Sequence, residues 1–340
     1  MTNPKTGGQR MPTIYDVARL AGVSHQTVSR HLRSMSGISK QTGNKVDKAV
    51  GQLGYRTNAA ARALATNRSK RIGTVVFEMT EFGPSAIVKG ASEAARSAGY
   101  LLDIVSLDGL DHASIAEALD ILAEQDFAGI FAVGPDAMIR REMQLGAFNV
   151  PTSLEAEDVD SPLDPPQTLN GQGAELVMSE LIGMGHRRIG HVSGPTNWTS
   201  TRNRELAYWR AMTRGGLPTF PVLRGDWSAR SGYEAGLAWP LELATTAIFV
   251  ASDQMALGLL SAFRDRGVRV PDQISVVGFD DIPASEFMAP PLTTVRLDFC
   301  DLGARRIRGL IAQIEGKTQS ETDSAGGTVE LIRRCSVRPI

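Results

Sequence analysis

Residues 13–32 read TIYDVARLAGVSHQTVSRHL, and the spacing within this stretch decides the fold of the first module. Ile14, Val17 and Ala18 recur at i, i+3 and i+4, which predicts a short amphipathic helix over 13–21. Thr13 stands before it as N-cap, and Asp16 sits in the first turn, near the positive end of the helix dipole. Gly22 permits a tight turn, Val23 plugs it, and Ser24 caps a second helix over His25–Leu32. Two short helices joined by a glycine-containing turn predict a helix-turn-helix, the motif whose second helix enters a DNA major groove. A weaker third helix is expected over Ser39–Leu53 on Val46, Val50 and Leu53, with Gly43 and Gly51 counting against it. On the second helix Val28 and Leu32 point inward, while His25, Gln26, Ser29 and Arg30 share the polar face. Gln can bond an adenine edge, Arg a guanine edge or a phosphate, and His either. A polar face by itself is also what any wet helix shows.

Charge separates the two readings. The chain carries 36 Lys/Arg and 37 Asp/Glu, a net −1. Residues 1–71 hold thirteen of the basic residues and only two acids, Asp16 and Asp47, so this part is +11 and the remainder −12. A small basic module on a larger acidic body suits a reader of the phosphate backbone; a solvated arm would show the charge without the motif. Residues 1–12 are expected to be a disordered arm, and 67–71 (NRSKR) a basic linker.

The 340 residues allow two or three domains with an ample core, and 42% hydrophobic with 21% charged residues is an ordinary globular composition. No apolar run approaches a membrane span, and the N-terminus lacks a signal-peptide core, so a cytoplasmic protein without membrane contact is expected. Cys300 and Cys335 are expected as reduced thiols. P-loop, HExxH, CxxC and GxSxG motifs are absent, and the five His show no ligand spacing. No enzyme activity, metal or cofactor is expected.

From Ile72 onward IGTVVFEM, LLDIVSL, GIFAVG, RRIGHVSG, AIFVAS and ISVVGF are near-continuous apolar runs, as in a parallel sheet covered on both faces. Amphipathic segments lie between them, over 87–98, 113–125, 174–184 and 254–266. Repeated βα units predict a doubly wound α/β body, and its length suits two lobes better than one. In such sheets ligands bind beyond the strand C-termini. The residues there are Glu78, Phe82–Ile87, Ser193–Arg204, Asp226-Trp227, Ser252-Asp253 and Asp280-Asp281, a set of carboxylates, hydroxyls, a guanidinium and a flat aromatic ring suited to a polyol. Each has a plainer use: either aspartate could cap a turn, Trp227 could be core, and Arg202 or Arg204 could be surface charge.

The string over 13–32, followed by ISKQT, LGY, Asn58 and AARAL, resembles the headpiece of the LacI/GalR family of bacterial transcription regulators. GHRRIGHVSGP, GDWSARSGYEAG, VASDQMALGLL and APPLTTVRLDF extend the resemblance through the body, closest in appearance to galactoside-responsive members. The resemblance implies a helix-turn-helix headpiece over 13–57 and a hinge helix with linker over 58–71. It further implies a two-lobed core over 72–340 with the fold of type I periplasmic sugar-binding proteins. Its N-lobe would comprise about 72–168 and 299–325, its C-lobe about 169–296 and 326–340. DNA contacts are then expected from Thr13, Tyr15, Ser24, His25, Gln26, Thr27, Ser29, Arg30, Arg33, Ser39 and Thr42. In the hinge they are expected from Asn58, Ala61 and Leu64, with Leu64 levered into the central base step unless it packs on the body instead. Ala59 stands where members often carry a basic residue. Carried into the body, the effector contacts fall on Arg204, Asp280 and Trp227, with an apolar rim of Pro84, Ile87 and Phe299. Ser252, Leu297 and Thr168 depart from the Asn, Gln and Phe of galactoside-responsive members. The implied protein is a homodimer on double-stranded operator DNA, released by a small sugar in the interlobe cleft. The rival within the family is a purine-type corepressor. LIRRCSVRPI at the C-terminus has no leucine heptads, which favours a dimer over a tetramer.

Overall fold

The computed structural model describes residues 12–32, 37–55, 69–108, 112–134, 137–145, 148–317 and 327–340. The chain divides into two compact units, Met1–Ser69 and Lys70–Ile340.

The first unit contains α1 (Ile14–Ala21), α2 (His25–Leu32) and α3 (Lys40–Leu53). The backbone N–H and the hydroxyl of Thr13 both donate to Asp16, at 2.9 and 2.7 Å, which fixes the start of α1. Gly22 ends it at φ 66°, a left-handed conformation that glycine adopts without steric cost. The Oγ atoms of Ser24 and Ser39 accept from the N–H of Thr27 and Thr42, capping α2 and α3. Val17, Ala18, Ala21, Val28, Val46 and Ala49 form one small core, with Leu32 and Leu53 packed at its margin. Gly43, which weakens α3 as a helix residue, has a packing role. A Cβ there would lie 2.7 Å from the His31 ring, which reaches past it to Asp47 at 2.8 Å.

The second unit holds two all-parallel sheets. β1 (Arg71–Phe77), β2 (Leu101–Leu107), β3 (Gly129–Val133) and β4 (Thr152–Glu155) pair in the order β2-β1-β3-β4. β5 (Ile189–Ser193), β6 (Leu223–Arg224), β7 (Ala247–Val250) and β8 (Ser275–Val277) pair as β6-β5-β7-β8. Each sheet therefore changes winding direction beside its first strand, between β1 and β3 and between β5 and β7. The inner strands β1, β3, β5 and β7 are almost wholly buried, as the unbroken apolar runs require. β9 (Thr294–Leu297) and β10 (Val329–Ile332) form a separate antiparallel pair.

The connecting helices are α4 (Phe82–Ser97), α5 (His112–Ala123), α6 (Ala137–Leu145), α7 (Leu169–Gly183), α8 (Thr199–Arg214), α9 (Ala229–Ala238), α10 (Asp253–Asp265) and α11 (Phe299–Ile314). Two begin at least a turn earlier than their periodicity suggests. Pro84 in α4 is tolerated because it lies in the first turn, where its missing N–H has no helical partner to lose. Gly173 in α7 makes room for Phe279, whose ring would come within 2.6 Å of a Cβ. α4 and α11 cross backbone to backbone. A Cβ on Gly90 would lie 1.8 Å from the Cys300 carbonyl oxygen, and one on Gly303 would lie 1.9 Å from that of Ile87. The pattern reading missed α6, α8, α9 and α11 and the short strands β4, β6, β9 and β10. Among the described residues no helix is long and apolar enough to cross a membrane.

Candidate functional site

In the first unit α2 leaves His25, Gln26 and Arg30 exposed, with Ser29 half-buried beside them and Val28 fully inside. Tyr15 of α1 is 60% exposed and its ring lies 5.1 Å from that of His25, so the two rings extend this face onto α1. The hydroxyls of Ser24 and Thr27 meet at 2.9 Å at the start of α2, and those of Ser39 and Thr42 do the same at the start of α3. Helix N-termini with unpaired N–H groups and hydroxyls suit phosphate oxygens. The hydroxyl of Thr13 is taken by Asp16. Arg33, Asn58, Ala61 and Leu64 lie outside the described residues.

In the second unit Pro84, Ile87, Arg204, Trp227, Ser252, Asp280 and Phe299 all line one cleft enclosing about 960 Å³, open mouth included. The topology explains the convergence. Open α/β sheets bind ligands beyond strand C-termini at the point where winding reverses. The segments after β1, β3 and β4 supply one part of the lining, those after β5, β6, β7 and β8 another, and Leu297 and Phe299 join it from the end of β9 and the start of α11. Arg204 belongs to the second turn of α8, the helix that follows β5. Four of the five non-glycine residues with positive φ among the described residues follow strand ends here: Glu78, Trp227, Asp280 and Asp281. Such conformations cost about 1–3 kcal/mol each and collect at ligand sites.

Arg204 is 5% exposed. Its Nε donates to Asn170 Oδ1 at 2.8 Å, its Nη1 to the Ala251 carbonyl and its Nη2 to Asp280 at 3.2 Å, and its plane stacks 3.8 Å from the Phe279 ring centre. It is a buried cation with three of its five N–H donors bonded within the protein. Burial pushes the Asp280 carboxyl up to about 6 despite the opposing pull of Arg204. Asp281 turns away to Arg296 and Arg334, at 2.6 and 2.7 Å. Ser252 caps α10 by accepting from the Met255 N–H at 3.2 Å. Its neighbour Asp253 is buried and accepts from Ser285 Oγ, Thr294 Oγ1 and the Ile282 N–H, and burial followed by repulsion from Asp280 raises it to about 7.

Trp227 is 7% exposed, lies edge-on to Trp198 at 5.7 Å, and has an indole N–H without a partner among the described residues. Gly194 permits this, because a Cβ there would meet the indole at 2.2 Å. Phe82 and Phe299 form a second edge-on pair at 6.1 Å. Leu297 also lines the cleft, but Thr168 does not: it caps α7 and bonds Asp160 at 2.8 Å.

Glu81, Glu155, Glu157, Asn170 and Gln254 line the cleft and escape the sequence reading. Glu155 is buried against Arg306, and Glu157 accepts from Asn170 Nδ2 at 2.6 Å and Asn203 Nδ2 at 3.4 Å. Burial raises both carboxyls. Glu81 has no hydrogen bond from its side chain among the described residues. Burial, then repulsion from Glu78, Asp280 and Asp226, lifts it to about 7. The signal for them is position after a strand, but β4 (TSLE) carries no apolar run in the sequence, and Glu81 lies one residue before the Phe82–Ile87 segment after β1.

Residues 13–58 match the family of bacterial regulatory proteins named for lacI, and residues 178–337 match the periplasmic binding protein-like domain. The lactose operon repressor of Escherichia coli K12 is 33% identical over 90% of this chain and 85% of its own length. The HTH-type transcriptional repressor PurR of Haemophilus influenzae Rd is also 33% identical, over 97% of this chain and all of its own length. Among solved structures, the lac repressor dimer bound to operator and the anti-inducer ONPF superposes with a TM-score of 0.85 at 31% identity, covering 97% of this chain and 100% of that one. The complex of the transcriptional regulator CelR with cellobiose gives 0.67 at 28%, covering 96% and 99%. With a basic helix-turn-helix head, a two-sheet α/β body with one lined cleft, and these full-length likenesses, the chain belongs to the lacI family of bacterial regulatory proteins and is a DNA-binding transcriptional regulator.

Proposed function

We propose that this regulator is a repressor that holds a roughly palindromic operator as a homodimer and is released by a small sugar bound in the cleft. The observation that carries the sugar is the cleft lining itself: the fixed Arg204–Asp280 pair, the edge-paired tryptophans and the apolar rim of Pro84, Ile87 and Phe299. Bidentate polar groups facing a flat aromatic wall are what vicinal hydroxyls on a ring require. His25, Gln26, Ser29 and Arg30 read base edges, Tyr15, Ser24, Thr27, Ser39 and Thr42 anchor phosphates, and Thr13 fixes α1. Arg33 and the hinge residues Asn58, Ala61 and Leu64 complete the DNA contacts. The effector acts by binding the released state more tightly; moving occupancy from 99:1 to 1:99 takes about 5.5 kcal/mol, shared by two clefts in a dimer.

Full-length likeness to PurR favours a second reading, a purine that strengthens the operator complex. One titration separates the two. The purified protein is bound to a labelled duplex selected from a random pool, then challenged with galactosides, glucosides and purines. Release by a sugar supports the proposal, and tightening by a purine overturns it in favour of the second reading.

A further inference from the structure

Charge accounting within the cleft narrows the effector further. Among the described residues four carboxylates line it, Glu81, Glu155, Glu157 and Asp280, against one guanidinium, Arg204. Arg204 spends its charge on Asp280 and three of its five N–H donors on Asp280, Asn170 and the Ala251 carbonyl, and Glu155 is paired with Arg306. Glu157 has only neutral amide donors, and the Glu81 side chain has no hydrogen bond among the described residues. The charged groups that bear on Glu81 are all acidic: Glu78 after β1, Asp226 after β6 and Asp280 after β8. A phosphate ester entering this cleft would meet uncompensated carboxylates and find the one lining cation among the described residues already neutralised by Asp280.

Two further features point to a ligand that accepts a hydrogen bond and is positive. Trp227, more than nine-tenths buried in the lining, has an indole N–H with nothing to donate to among the described residues. The aromatic pairs Trp198–Trp227 and Phe82–Phe299 both line the cleft, and aromatic faces attract cations. A neutral sugar could use the rings, but only a cation also balances Glu81.

We propose that the effector is a sugar carrying a free amino group, whose ammonium is held by Glu81 while its hydroxyls take the Arg204–Asp280 pair and the Trp227 N–H. This rests on the reading of the cleft as a sugar site, and the test separates the two claims. The full-length protein is titrated calorimetrically at pH 7.5 with glucosamine and galactosamine, their N-acetyl forms, the parent hexoses and the hexose 6-phosphates. At least one amino sugar is expected to bind tenfold or more tightly than its parent hexose and its N-acetyl form, with the 6-phosphates weakest. Glu81→Gln, checked for an unchanged thermal transition, should erase that preference, and Glu81→Lys should shift it toward the 6-phosphate. Neutral hexoses binding as well as the amines, or an amine preference that survives Glu81→Gln, overturns the inference and leaves the sugar reading standing. Silence with every sugar overturns both.

Discussion

Replacing Arg204 by Ala tests whether the guanidinium is a structural post as well as an effector contact. The side chain is buried and satisfies three acceptors, Asn170 Oδ1, the Ala251 carbonyl and Asp280. Removing one member of a buried ion pair strands the other, at about 3–5 kcal/mol. The two orphaned neutral acceptors are partly covered by that figure, since water can enter from the cleft. Against a domain stability of about 5–15 kcal/mol the loss is about a fifth of the total or more. The variant should therefore show a clearly lower urea midpoint, and a failure of induction in it would not by itself prove an effector contact. The double variant Arg204→Met with Asp280→Asn removes both charges together and should recover most of the lost stability while still failing to respond to effector. Urea titrations followed by far-UV circular dichroism measure both. An unchanged midpoint for Arg204→Ala, or a double variant no more stable than the single one, would refute the reasoning.

Gly303→Ala places a Cβ 1.9 Å from the Ile87 carbonyl at the α4–α11 crossing, and should cost about 1–3 kcal/mol, read as a lower thermal midpoint. Gln26→Ala should relax base preference at one operator position by about 1–3 kcal/mol, measured by binding to a panel of single-base operator variants. The folded-state value of Asp253, about 7 against an ordinary 3.8, means that the folded protein holds its proton more tightly than the unfolded chain does. The resulting penalty is absent below about pH 4, grows as pH rises, and is complete above 7, on the order of 4 kcal/mol. Asp253→Asn, whose amide can be met by rotated Ser285 and Thr294 hydroxyls, should remove that slope. His191, held near 4 by burial, contributes an opposite acid-side loss between 6.5 and 4 that is common to both proteins and cancels in their difference. Denaturation at pH 4.5, 6 and 7.5 checks it, and parallel profiles for the two proteins would sink the assignment.

The helix-turn-helix was legible in sequence because its determinants are local: an i, i+4 stripe, two hydroxyl caps and a left-handed glycine, all within twenty residues. The sheet strands β1, β2, β3, β5, β7 and β8 are legible for the same reason, as short apolar runs, and the cleft residues Arg204, Trp227 and Asp280 follow from a family pattern laid on those runs. Tertiary structure decided what each polar residue does there. Asp253, Asp280 and Asp281 look alike along the chain. In the fold the first faces hydroxyls from 285 and 294, the second faces Arg204, and the third faces Arg296 and Arg334. Thr168 went to a helix cap, and Glu81, Glu155, Glu157 and Asn170 arrived in the cleft unannounced. The physical reason is range. Backbone conformation answers to neighbours a few residues away, whereas the charge state and hydrogen bonding of a buried side chain answer to whichever donors packing brings across from distant parts of the chain.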